Sequence, residues 1–405
     1  MKIIFGIHSL AGFGGTETYV ATVGDYLQRA GHDVWIYALE DGDAAKRAHD
    51  LGLRTVTDKA PLPDRIDVAL VQDYPASAEL LARCPGVPQV FVWHSELFDL
   101  QLPPQLDGAI SHIITLNHRA HRRLDSLAIK LPMTRLTQPV DARRFTPLRD
   151  LPREARVALS LGNYLKGERL DLLARACELA GLEFRHVGVH GSGVTSNPED
   201  HMNAADIVFG KGRVIYEALA CGRAAYVLDA FGSAGWVTPE SYERLVADNF
   251  AGTTSSTPLT AESLADDLRG YNSGMGIVNR DLAVSHHQAT AHTSEVVKIL
   301  EQVVAQAPAQ VAATHDGLFE LSRLARVNWR HEGQAYRLSE LLNDAERAKA
   351  DLAWRLEQAE AELATQTERG DSAEKTAQEL LASARFRLGT KLLAPLDRIR
   401  GKGGA

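Results

Sequence analysis

Up to about residue 300 the chain alternates two patterns. Short, nearly continuous apolar runs occur at KIIFGIH (2–8), DVWIYAL (33–39), LRTVT (53–57), DVALVQ (67–72), QVFVW (89–93) and HIITL (112–116). Longer stretches of helical spacing lie among them, such as TETYVATVGDYLQRAG (16–31), where Gly31 stands at the position of a C′ glycine. Apolar runs without alternation predict strands covered on both faces. Strand–helix–strand order predicts right-handed parallel crossovers, hence a doubly wound α/β sheet. The segment QPVDARRFTPLRDLPRE (138–154) breaks the pattern with three prolines and many charges, and reads as a linker. Alternation resumes with RVALSLG (156–162), LDLLARACELAG (170–181), EFRHVGV (183–189), ADIVFG (205–210), VIYEALACG (214–222) and AAYVLDA (224–230). Helical stretches near 260–270 and 279–306 follow. Two Rossmann-like units facing a cleft are expected, over 1–140 and 155–308 with 141–154 between them.

Beyond 315 glycine becomes scarce and the chain turns helical, over 315–383. Ala345, Leu352 and Ala359 are seven apart, as are Leu342, Lys349, Leu356 and Leu363. Lys349 interrupts that seam, so the pattern predicts either a short, weak coiled coil, which makes a homodimer reasonable, or a long solvated helix folded back on the domains. The final span, 384–405, is basic: ARFRLGTKLLAPLDRIRGK (384–402) has six Arg/Lys against one Asp. Phe386, Leu388, Leu392, Leu393, Leu396 and Ile399 give it an apolar face, kinked at Pro395. It reads either as contact with an anionic membrane surface or as a partly disordered tail.

Composition narrows the classes. The 405 residues are 45% hydrophobic and 24% charged, with net charge -8. That suits two globular domains with chain to spare, and argues against a general nucleic-acid binder. Cys84, Cys177 and Cys221 are far apart with no CxxC pair, which predicts reduced thiols and neither a disulfide framework nor a zinc site. No apolar run approaches the ~20 residues of a membrane span. KIIFGIH is too short for the apolar core of a signal peptide. A soluble cytoplasmic protein is expected, with the inner membrane face as the place where the basic tail would act.

Two loops are chemically suggestive. SLAGFGGTETY (9–19) follows the first strand and opens the first helix, where glycines let a ligand approach the backbone and a helix N-terminus favours anions. Gly12 and Gly14 fit the start of a dinucleotide fingerprint, but its third glycine falls on Glu17, which counts against a nicotinamide enzyme. In ADIVFGKGRVIYEALACG (205–222), a strand runs into Gly210-Lys211-Gly212-Arg213 and a helix follows. Glycines, two cations and a helix N-terminus together suit a diphosphate. Glu217, one turn into that helix, is placed to accept hydrogen bonds from ribose hydroxyls. His94 ends its strand at the edge where parallel sheets bind ligands. His8 is a weaker candidate of the same kind. His186 and His190 read as structural or merely donor-adjacent, and His112, His118 and His121 as surface residues at helix or strand ends. Asp41-Gly42-Asp43 reads literally as a metal-binding D-x-D, but it follows the second strand of a doubly wound domain, the wrong context for that motif.

These motifs resemble the retaining GT-B glycosyltransferases of the group 1 type. Gly14-Gly15-Thr16-Glu17 matches that family's Gly-Gly-x-Glu loop. Gln138-Pro139-Val140-Asp141, with Phe145 and Pro147, resembles the segment before its second domain. Gly162 and Lys166-Gly167 resemble the loop whose lysine grips the donor diphosphate. Glu217-Ala218, with Ala220-Cys221-Gly222, matches the second glutamate of the family's E-x7-E signature. The first glutamate, which contacts the donor sugar in the family, is Phe209 here, and the arginine after the phosphate-loop glycine is Asn163.

The resemblance implies a GT-B fold, a nucleotide diphosphate-sugar donor, an acceptor held by the N-terminal domain, and retention of configuration, with no metal or other cofactor. His94 and Glu17 are the catalytic candidates. Gly14, Gly15, Lys166, Lys211, Gly212, Arg213 and Glu217 are the donor-binding ones. The tail adds the expectation of a glycan or lipid-linked acceptor in surface polysaccharide synthesis. An inactive GT-B-like scaffold acting through its helical tail is the alternative.

Overall fold

The computed structural model describes residues 1–400 apart from 58–59, 95–97, 128, 230–231, 253–258, 307–310 and 312; the side chains of 351, 386 and 388–400 also lie outside it. Residues 1–330 form one compact unit and 331–405 a second.

The first unit holds two sheets. The first is built from β1 (Lys2–Ser9), β2 (Asp33–Glu40), β3 (Arg54–Val56), β4 (Val68–Val71), β5 (Gln89–Trp93), β6 (His112–Thr115) and β7 (Met133–Arg135). Their spatial order is β3-β2-β1-β4-β5-β6-β7, every pair parallel. Between strands run α1 (Gly15–Arg29), α2 (Asp43–Asp50), α3 (Tyr74–Arg83) and α4 (His118–Ser126). Gly31, at φ +90°, turns the chain out of α1 as its place in the sequence predicts. β7 was not legible in MTR, an edge strand of two half-covered residues and an exposed arginine.

The second sheet contains β8 (Val157–Leu161), β9 (Glu183–Val187), β10 (Ile207–Gly210), β11 (Ala224–Asp229) and β12 (Gly232–Trp236). Its order is β12-β11-β10-β8-β9, parallel except for the antiparallel β12. Helices α5 (Gly167–Leu179), α6 (Pro198–Ala204), α7 (Arg213–Ala220), α8 (Pro239–Ala247), α9 (Ala261–Leu268) and α10 (Gly274–His286) belong to this half. Each sheet has a buried apolar layer on both faces, the reason its strands read as continuous apolar runs.

The helical stretch expected over 279–306 is two helices. α10 stops at His286, and α11 (Ala289–Val304) begins after an extended step at Gln288, which bridges to Val140. The break is where the chain crosses back between sheets. Val296, Ile299, Leu300 and Val303 of α11 enter the core of the first sheet, so α11 packs with that half although the expected span counted it with the second.

α12 (His315–Arg400) starts in the first unit. Leu318 is buried in the outer core of the first sheet, Ser322 Oγ donates to Glu79, and the Arg326 guanidinium lies 2.7 Å from Glu79 Oε2. Among the described residues no helix is long and apolar enough to cross a membrane. Leu318→Ala is expected to cost about 2–4 kcal/mol of stability, the transfer and cavity cost of a buried leucine, measured by urea unfolding.

Candidate active site

In open parallel sheets a crevice forms at the carboxyl ends of the strands, where strand order reverses. The first sheet reverses between β1 and β4, the second between β8 and β10. Both reversals open on one cleft of ≈ 940 Å³. Gly14, Gly15, Glu17 and His94 line its first wall, and Gly162, Lys211, Gly212, Arg213 and Glu217 its second.

The loop after β1 ends at Gly14, the N-cap of α1. The Glu17 carboxyl folds back over this turn and accepts from the backbone N–H groups of Gly14 and of Glu17 itself, while burial pushes its pKa up. A Cβ on Gly14 would lie 2.5 Å from Glu17 Oε2, so a larger residue there would push the carboxyl out of this fold-back. His94, directly after β5, pairs through Nε2 with Gln72 Oε1 at 2.7 Å. Gln72 in turn donates its amide to the Leu70 carbonyl, which fixes Oε1 as the acceptor toward the ring. The Nδ1 lone pair of His94 is left buried and without a partner, and burial, helped by Arg213, lowers its pKa to about 3. His94 is therefore neutral at ordinary pH, an acceptor with little basicity.

On the opposite wall, β10 delivers Lys211 to the cleft. Its ammonium lies 2.7 Å from Asp229 Oδ2, at the end of β11, and over the Tyr164 ring, 4.3 Å from the centroid. Gly212 follows at φ +50°, a left-handed turn that lets α7 start at once. The Arg213 guanidinium donates to Gln138 Oε1 at 3.1 Å and to the Pro139 carbonyl at 3.4 Å, and stands 3.9 Å from Glu217. Glu217 is buried, and burial pushes its pKa up to about 7 against the pull of Arg213. Below these groups Gly188 packs against Gly162: a Cβ there would lie 2.0 Å from the Gly162 carbonyl oxygen.

Lys166 is the N-cap of α5 and is not among the residues lining the cleft. Phe209, eight residues before Glu217, is wholly buried in β10 and tilted against Tyr226, so that position faces the core and not the cleft. Asn163 lines the cleft but uses its side-chain oxygen to accept from the Val189 N–H at 3.2 Å, tying two loops together where the family has a cation.

His8 is buried outside the cleft lining, against the ring of Trp329 at 4.5 Å. Asp41 accepts from the Gly42 N–H and Asp43 pairs with Lys46, so D-x-D serves the start of α2. Among the described residues no group of three or more His, Cys, Asp or Glu is placed to hold a metal ion. Asp229, Tyr164 and Asn249 also line the cleft and were missed. Asp229 had a readable signal, an acidic residue ending a parallel strand. Asn249, at φ +53°, had none.

The raised pKa of Glu217 has a definite sign. The folded state holds this proton in the range where the unfolded chain has lost it. The group's contribution is therefore full below about pH 4.5 and is lost as pH rises through about 7. Relative to Glu217→Gln, which cancels the shared histidine titrations, the wild type is expected to lose on the order of 2–3 kcal/mol between pH 4.5 and pH 8, measured by denaturant unfolding.

No family model matches this sequence, and no curated protein does. Among solved structures the chain is similar to HepE of Anabaena. Against HepE in complex with UDP the TM-score is 0.55, with 14% identity over 75% of this chain and 100% of the other. The complex with UDP and glucose gives 0.53, at 14% over 74% and 99%. The complex with UDP-glucose gives 0.52, at 14% over 75% and 100%. The likeness is one of fold: two parallel-sheet α/β domains in the GT-B arrangement, followed here by a long C-terminal helix.

Proposed function

We propose that this protein is a glycosyltransferase that moves a sugar from a nucleoside diphosphate donor, in the first instance a UDP-sugar, to an acceptor lying against the first domain. The observation that supports it most is the meeting of the Gly14-Gly15 turn and the Lys211-Gly212-Arg213 turn across one cleft, each opening a helix whose N-terminus favours an anion. UDP is put first because HepE, which shares the fold, was solved with it.

In this reading Lys211, aimed by Asp229, and the first N–H groups of α7 take the diphosphate. As the sugar departs, negative charge grows on that diphosphate, and the preorganised cations stabilise it without solvent reorganisation. Arg213 is committed to the linker and to Glu217, so it contributes through its charge at short range. Glu217 binds the ribose hydroxyls. Neutral His94, held by Gln72, borders the donor sugar and packs against it without carrying charge. Glu17 holds the Gly14-Gly15 turn open beside the acceptor. Charge neutralisation is assigned to Lys211 and Arg213, and not to Lys166.

Retention of configuration follows from the resemblance, and is read from the anomeric proton of the first-formed product. The basic segment 384–402 motivates a glycan or lipid-linked acceptor in surface polysaccharide synthesis, worked at the cytoplasmic membrane face; its side chains lie almost wholly outside the described residues. Retention of the protein on anionic vesicles after deletion of 384–405 would overturn that part.

A second reading, an inactive scaffold, draws on Phe209 and Asn163, both built into structural roles. Thermal unfolding with UDP separates the two. At 100-fold its dissociation constant UDP is expected to add ~2.7 kcal/mol of stability to the wild type. Lys211→Ala is expected to abolish that shift and to lower kcat by about 10²–10³-fold, as loss of an oxyanion-type contact does. Lys166→Ala is expected to do much less. Absence of any shift with UDP, GDP, ADP or TDP, together with absence of turnover, favours the scaffold.

A further inference from the structure

We infer that residues 338–384 of α12 pair with the same segment of a second copy of this chain as a parallel, in-register, two-stranded coiled coil.

From Leu338 the helix carries an alternating four–three spacing. Leu338, Ala345, Leu352 and Ala359 fall on the d positions, and Ala373 and Leu380 continue them. The a positions take Leu342, Leu356 and Leu363, then Ala377 and Ala384. Only Lys349, Gln366 and Gly370 interrupt the seam, so it runs well past the short stretch expected from residues 342–363. Within its own unit the seam is bare: Leu338 is 66% exposed, Leu352 64% and Leu356 60%. Leucines spaced at 3.5 residues on an exposed helix want a partner with the same spacing.

The flanking charges name that partner and its direction. The e positions bear Glu346, Glu360 and Glu374 and no cation, whereas Arg355 and Arg369 stand at g, with Glu362 between them facing only Thr367 of a parallel partner. In a parallel pair each g residue faces the e residue five places on in the other chain. Arg355 then meets Glu360 of the second chain, and Arg369 meets its Glu374. In an antiparallel pair the e rows face each other, glutamate against glutamate, which is repulsive. Lys349, alone at an a position, lets two chains splay their ammonium groups to water but would be trapped in a trimer or tetramer.

Light scattering of the full-length protein is expected to give the mass of two 44.2 kDa chains. Leu352→Asp with Leu356→Asp is expected to give the mass of one, with the UDP-dependent thermal shift unchanged. A separate, surface-only pair, Arg355→Glu with Arg369→Glu, is expected to raise the dimer dissociation constant about tenfold or more. Mixing that chain with a Glu360→Lys, Glu374→Lys chain is expected to restore assembly. Leu352→Cys is expected to form an intermolecular disulfide on mild oxidation, since only the parallel in-register pair brings residue 352 to its copy. A monomeric wild type, a dimer that survives the aspartate pair, or a dimer that Leu352→Cys does not cross-link each overturns the inference. Failure of UDP to bind overturns the donor reading and leaves this one standing.

Discussion

The two sheets depend on one short piece of backbone pairing. The chain leaves the first domain through Thr137–Val140 and returns through His286–Ala289, and these crossings are bonded side by side. The Val140 N–H donates to the His287 carbonyl at 2.7 Å, and the Ala289 N–H donates to the Val140 carbonyl at 3.1 Å. Two buried histidines clamp the same strand. His287 Nδ1 bonds the Gln138 carbonyl and accepts Tyr242 O–H at Nε2; His292 Nδ1 bonds the Thr137 carbonyl and accepts Tyr19 O–H. This pattern requires both rings to be neutral, with the proton on Nδ1, and burial holds both pKa values down to about 4. Arg213 joins the clamp from the other side, through Gln138 and Pro139. Arg213, which opens α7 in the cleft wall, is thus also a fastening between the two sheets.

That arrangement explains why the cleft is electrically quieter than its sequence suggests. Lys211 is answered by Asp229 and Arg144 by Glu199, while Arg213 donates to Gln138 and the Pro139 carbonyl. Unpaired cations packed into one low-dielectric cleft would repel each other and weaken the fold, whereas a cation held by a carboxylate stays aimed and gains a stronger partner when an anion arrives. The elevated pKa of Glu217 belongs to the same balance, since desolvation there outweighs the nearby guanidinium.

The sheets were legible because parallel strands covered on both faces leave long apolar runs, and β1, β2, β4, β5, β6 and β11 fall within a residue of where those runs lie. The glycine turns were legible for a related reason: a strand, glycines and a helix in close succession leave few conformations. Features that depend on distant residues were not. The break at His287–Gln288 is set by Val140, far away in sequence, so a helical period ran straight through it. Lys166 matched the family's phosphate-loop lysine by resemblance; it stands at the N-terminus of α5, with its side chain making no capping bond, and is absent from the cleft lining. Phe209 marked a missing glutamate, and only strand direction shows that its position faces the core.

The return crossing makes the second domain an insertion: residues between Val140 and His287 leave and rejoin the first domain at adjacent points. The first sheet is synthesised early, but one side of its core stays open until Val296–Val303 arrive, and Tyr19 waits for His292, 273 positions later. The inserted domain, by contrast, has its sheet and helices complete by His286. On an emerging chain the inserted domain therefore has all its elements before the first sheet has the last of its core. Closing the early half over so long a loop is the slow, contact-order-limited step. Until it closes, the apolar seat of α11 on the first sheet is the surface most exposed to misassociation.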